Sequence, residues 1–235
     1  LVLISFLMIF LPANQEQSLD VKFNRVKQNK TIPNWIPLLY IVMIGIVYTY
    51  AAIAKLYPDW LDGTFTKNLL QGTTTRPFFL KLFAQKWFYI PFAYAGILFD
   101  LLIVPFLLYK RTRTLALIAA FIFHLFNSIT LQIGIFPYFA LSFALFFYEP
   151  EKVRAFFLRE KITVDNNQNN YGKKLFYFLI IPFLTIQLFL PLRHHIIKGD
   201  VLWTEEGHRL SWRMMLRQRS GYITINIIDN ITKTR

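Results

Sequence analysis

The chain of 235 residues contains no cysteine, so disulfides, thiolate nucleophiles and cysteine-ligated metals are excluded by inventory. Acidic residues are scarce too: 13 Asp and Glu stand against 26 Lys and Arg, and four His are left as ordinary proton handlers near neutral pH. No HExxH, no GxSxG and no glycine-rich phosphate loop occurs, and no internal repeat is evident, which removes the commonest signatures of soluble enzymes.

What the chain has in excess is apolar surface. Fully 55% of its residues are hydrophobic and 18% aromatic, with a mean hydropathy of +0.39. A soluble domain could not bury that much, so the composition is that of an integral membrane protein. The net charge of +13 sits in loops between apolar runs, where Lys and Arg face lipid headgroups and set topology. No basic stripe with recognition-helix or stacking geometry is present, so nucleic acid is not an expected partner.

Leu1 to Pro12 is apolar but too short to span, and reads as the end of a helix that starts earlier. Ile36 to Leu56 is long enough to cross, and YPDWLDG after it stops the helix, with Trp60 suited to the membrane interface. Trp87 to Tyr109 forms the next span, broken only by Asp100. Thr114 to Phe147 is too long for one crossing and divides into two helices at QIGIFP, where Gly134 and Pro137 notch it. Leu175 to Leu192 is the final span. The low-complexity run Asp165 to Asn170 reads as a loop tip, and Tyr222 to Ile228 alternates like a strand. The expected fold is an all-α membrane bundle over residues 1–192, with about five full spans plus an N-terminal remnant, followed by a small mixed outer-face segment over 193–235. Loops 13–36, 110–113 and 149–174 hold 13 Lys and Arg against four in loop 57–86, so the positive-inside rule makes the first set cytoplasmic. Lys55, the QIGIFP turn and the tail then share the outer face, periplasmic or lumenal, of an inner membrane if the protein is bacterial.

Lys55 is the charge that ends an otherwise uncharged run. It is either an anchor snorkelling to the headgroups or an enclosed amine. Enclosure would lower its pKa from ~10.4, in documented buried cases to ~5 to 6, and give a general base for a phenol-like substrate. His124 and Asn127, spaced i, i+3, project from one face into the same outer half, either as inter-helix glue or as a polar pocket. Asp100, about 12 residues into its helix and thus ~18 Å deep, is not expected to touch Lys55, and is a structural partner or part of a proton path. In WTEEGHRLSWRMMLRQR, residues such as His208, Arg209, Trp212 and Arg213 form either an amphipathic interfacial segment or a carboxylate site.

Four strings in order, YTYAAIAKLYPDWLDG (48–63), GILFDLLIVPFLLYKRTR (96–113), FHLFNSITLQIGIFPY (123–138) and WTEEGHRLSWRMMLR (203–217), resemble the vitamin K-dependent gamma-carboxylase family, including its bacterial members built on the HTTM domain. The resemblance covers most of 33–219. It implies that Lys55 is the catalytic lysine, which as a free amine deprotonates the hydroquinone of reduced vitamin K. Dioxygen then adds, an epoxide forms, and a strongly basic alkoxide removes the γ-proton of a glutamate whose carbanion captures carbon dioxide. It further implies that His124 and Asn127 shape the pocket and hydrogen-bond Lys55 or the quinone oxygens. His208 and Arg213 are the implied outer-face contacts to a glutamate-containing peptide, with Arg209 and Trp212 beside them. Implied cofactors are reduced vitamin K, dioxygen and carbon dioxide, without a metal; membrane lipids and quinone are the other partners. The family's N-terminal helices, with the Asn-His pair expected to hold the hydroquinone, and its extended C-terminal region have no counterpart in the chain. Ala52 stands for the usual glycine of AGIAKL and Leu210 for an aromatic in RFSW. Epoxidation is accordingly better supported than protein carboxylation. The rival expectation is a non-catalytic membrane protein that binds quinone or lipid, or serves as an assembly scaffold. A transporter would need discontinuous helices at the midplane, whereas the Gly134 to Pro137 break lies near the surface.

Overall fold

The structure, a computed structural model, describes residues 2–16, 18–29, 31–131, 134–158 and 173–213. Every element among the described residues is helical. Four helices are long and apolar enough to cross a membrane: α1 (Trp35–Ala54), α2 (Lys86–Leu108), α3 (Arg113–Leu131) and, later in the chain, Phe176–His195. Between the last two lies α4 (Phe136–Phe143), continued by a 3-10 turn over Ala144–Phe147. The all-α membrane bundle is therefore as expected, but the fourth of the five expected spans is short. At ~1.5 and ~2.0 Å per residue it rises roughly 20 Å, against a ~30 Å hydrocarbon core. Tyr148 turns extended ahead of Glu149 and Pro150, where the residue preceding proline disfavours helix, and the run stops there. We label Phe176–His195 α5. The strand-like 222–228 and the run 165–170 lie outside the described residues.

Helix α1 is the central element. Its residues Ile36, Tyr40, Ile44 and Tyr48 recur every fourth position and pack with Ile103, Val104 and Leu107 of α2, Ala116 and Ala120 of α3, and Phe143 of α4. Two alanines a turn apart let α3 approach closely, a common device between membrane helices. On its other side Leu39 and Met43, both almost wholly buried, meet Leu7 and Ile180. Higher up, the Tyr50 hydroxyl donates to Leu188 O at 2.5 Å and ties α1 to α5. A helix that is apolar all round belongs inside a bundle, and α1 is placed accordingly.

The basic loops gather on one face. Glu149 meets Lys152 at 3.1 Å and both Lys110 and Arg113 at 3.5 Å, while Arg154 pairs with Glu16 at 2.5 Å. Its own backbone N–H, and then Lys152, hold the Glu149 carboxyl down at about 2. The opposite face carries Lys55, the connection 57–85 and residues 196–213.

That connection is no simple loop. It forms three short helices, Pro58–Leu61, Thr64–Gln71 and Pro77–Phe83, with Thr66 and Leu70 fully buried. Trp60, expected at the membrane interface, is instead internal: it is 5% exposed, and its Nε1 donates to Ala93 O at 3.0 Å. Gly63, at φ +79°, turns the chain between the first two short helices, and a Cβ there would lie 2.6 Å from the Tyr89 ring. Gly63→Ala should therefore lose the ~1–2 kcal/mol of a left-handed non-glycine residue plus the cost of moving Tyr89. Gly134→Ala, at φ +70° with nothing within 4 Å, should lose only the conformational part. Thermal unfolding in detergent of the two variants checks the order, Gly63→Ala being the less stable.

Candidate functional site

Helix α1 ends at Lys55, whose backbone N–H donates to Ala52 O while the Leu56 N–H donates to Ile53 O, before Tyr57 turns extended ahead of Pro58. The side chain folds back along the helix instead of out to headgroups. Its Nζ donates to the Asp100 carboxylate and to Ala51 O at 3.4 Å, and lies 5.3 Å from the centroid of the Trp60 ring. Lys55 is 7% exposed and Asp100 5%. The snorkelling alternative is thus set aside by its position.

The contact with Asp100 overturns the expectation that the two would lie far apart. Depth counted from the start of α2 does not apply to the end of α1, because the helices are staggered. Trp60, just past the end of α1, bonds to Ala93, and a Cβ at Gly96 would lie 3.6 Å from its ring. The first ~10 Å of α2 therefore rises beyond Lys55 and is covered by the connection 57–85. Asp100 lies at the level where α1 stops.

Two helical turns before Lys55, on the same face of α1, the Tyr48 hydroxyl lies 2.7 Å from His124 Nε2. His124 is 2% exposed, and its Nδ1 has no hydrogen-bond partner among the described residues. Phe99, Phe123 and Phe136 stand nearly edge-on around the imidazole at 5.5 to 6.2 Å between centroids. Phe99, the neighbour of Asp100, also stacks on Phe123 at 3.8 Å and meets Tyr48 edge-on. One aromatic layer therefore joins the Tyr48–His124 pair to the Lys55–Asp100 pair. The resemblance implies that His124 bonds Lys55 or the quinone oxygens; among the described residues its ring partner is Tyr48, which lies in an apolar aromatic stretch of the sequence. Its i, i+7 spacing from Lys55 was the available signal. Asn127 is half-buried, one turn beyond His124.

The tail folds back over this face. Residues 205–213 are irregular, and within 201–213 only Val201–Thr204 is helical. Ser211 is buried and donates to Gly207 O; Arg193 donates to Arg209 O. Trp212, at φ +54°, packs against the Leu39, Met43 and Ile180 cluster. Arg213 is half-buried and donates to His194 Nε2 at 3.4 Å, while His194 Nδ1 donates to Pro191 O at 2.7 Å. Burial pushes the Arg213 guanidinium below its ordinary pKa, with Asp200 and Tyr57 acting the other way. Burial, then Asp59, pushes the Tyr57 phenol up to about 12 against the pull of Arg213. Arg213 and Tyr57 are thus electrostatic neighbours. His208 is half-buried and Arg209 is exposed. Residues 214–217 of the same motif lie outside the described residues.

Comparison with protein families gives two matches. The HTTM domain matches residues 1–151, and the lumenal domain of vitamin K-dependent gamma-carboxylase matches residues 172–235. No solved structure matches the chain.

A buried ion pair is costly to break from one side. Asp100→Asn should destabilise by ~3–5 kcal/mol by leaving the ammonium uncompensated, whereas the double variant Lys55→Met, Asp100→Leu should recover most of the loss. Denaturant unfolding in micelles measures both, and a loss for Asp100→Asn no larger than that of an exposed pair would place the contact in water.

Proposed function

The chain belongs to the vitamin K-dependent gamma-carboxylase family, with an HTTM domain and that family's lumenal domain, and from that premise we propose that it is a membrane quinol-dependent monooxygenase in which Lys55 is the general base. The observation that supports this most directly is the amine itself, buried beneath an indole and held by a carboxylate rather than by headgroups.

An amine works as a base only once it is neutral. In the proposed step the Lys55 ammonium passes its proton to the Asp100 carboxylate that it touches as the diol binds. The freed amine then takes a proton from an aromatic hydroxyl, and Asp100 keeps the amine oriented. Trp60 closes the site from the outer face and excludes water.

The residues present fit a flat aromatic diol. Phe99, Phe123 and Phe136 supply apolar edges, and the unpartnered His124 Nδ1 supplies a buried polar atom for an oxygen. Reduced vitamin K, when bound, supplies the oxidisable ring that reacts with dioxygen and makes carboxylation of a glutamate by carbon dioxide feasible. Asn127 lies one turn from His124 and extends the same wall. Arg213, an electrostatic neighbour of Tyr57 at the mouth, with His208, Arg209 and Trp212 nearby in the chain, is positioned to meet the carboxylate of an outer-face peptide. The positive-inside count puts that mouth on the periplasmic or lumenal side.

A quinone or lipid binder that has lost the reaction is the alternative, in which the buried Lys55–Asp100 pair serves only to join α1 to α2. Purified protein supplied with reduced vitamin K in air should form the epoxide, and Lys55→Ala should form it at least ~10²-fold more slowly. Equal rates for parent and variant would remove Lys55 from the chemistry. Radiolabelled carbon dioxide with a glutamate-containing peptide reads carboxylation separately.

A further inference from the structure

Tyr48 bears no charge, yet its hydroxyl is the described partner of a fully buried imidazole. The pair can be joined in two ways. If the imidazole Nε2–H donates to Tyr48, the phenol proton and the Nδ1 lone pair are both left without partners among the described residues. If Tyr48 donates to Nε2, the phenol is satisfied, the ring proton resides on Nδ1, and one donor is left over. Unmet buried polar groups are costly, so the second arrangement prevails. The rings around His124 are phenylalanines and offer no oxygen or nitrogen to that donor.

Resting on the quinol reading above, we infer that Tyr48 is a positioning residue that fixes His124 as an Nδ1–H donor, and that this N–H awaits a ring oxygen able only to accept: a quinone carbonyl or a phenolate. Such a site prefers the oxygen after its proton has gone to Lys55 over the hydroxyl before it goes. Stronger binding of the deprotonated form is what lets a hydrogen bond assist the proton transfer and not merely hold the ground state. Phe99 links the two pairs, touching Tyr48 and His124 while its neighbour Asp100 holds Lys55.

Nitrogen-15 spectra of the imidazoles, with His124→Gln to assign the signal, test the tautomer in the unmodified protein. The expected form carries its proton on Nδ1, and Tyr48→Phe should move it toward Nε2–H. Menadione, whose oxygens only accept, should bind the parent and shift the Nδ1–H resonance. Quenching of tryptophan fluorescence should show about tenfold weaker binding to Tyr48→Phe. An Nε2–H tautomer in the parent overturns the inference, as does equal menadione affinity in parent and Tyr48→Phe. Absence of menadione binding to the parent overturns the quinol reading together with it. Should Tyr48→Phe not fold, the parent's tautomer and the response of its Nδ1–H to menadione still decide.

Discussion

The bundle is organised around one buried ion pair. Lys55 can be drawn out of the headgroups only because Asp100 awaits it one helix away, and Asp100 can sit in the middle of an apolar span only because Lys55 reaches it. The stagger of α1 against α2 brings the two to one level, and the short helices of 57–85 fill the step that the stagger leaves. Trp60 and Gly63 of that filling meet Tyr89, Ala93 and Gly96 of α2. A membrane protein pays heavily for intramembrane charge, and the local architecture is arranged to keep this charge matched and dry.

The spans were legible from hydropathy because lipid leaves few alternatives to an apolar helix of about 20 residues. Lys55, His124 and Asp100 were legible as rare polar residues in apolar runs. Their partners were not. The depth of Asp100 was counted from its own helix, and such a count carries no information about where a neighbouring helix ends. Tyr48 was hidden because a tyrosine in a span is as often a membrane aromatic as a hydrogen-bond donor. Trp60 looked interfacial for the same reason: local composition cannot distinguish an indole facing lipid headgroups from one folded over a lysine.

The tail was the least legible part. Segment 205–213 has neither a 3.6-residue nor a two-residue period, and its path is set by particular contacts such as Arg213 with His194, Ser211 with Gly207 O, and Trp212 with the α1–α5 seam. Such contacts leave no periodic trace. Positive φ values at Glu205, Leu210 and Trp212 show a chain bent to fit surroundings that it did not select by propensity.

Trp212 carries a further consequence. It packs against the cluster of Leu39 and Met43 with Ile180, so side chains from the region matching the lumenal domain pack against the interior of the region matching the HTTM domain. The two matched regions are therefore one folding unit in the sense that matters for evolution: neither could be exchanged for a foreign counterpart without also recutting the seam it shares with the other.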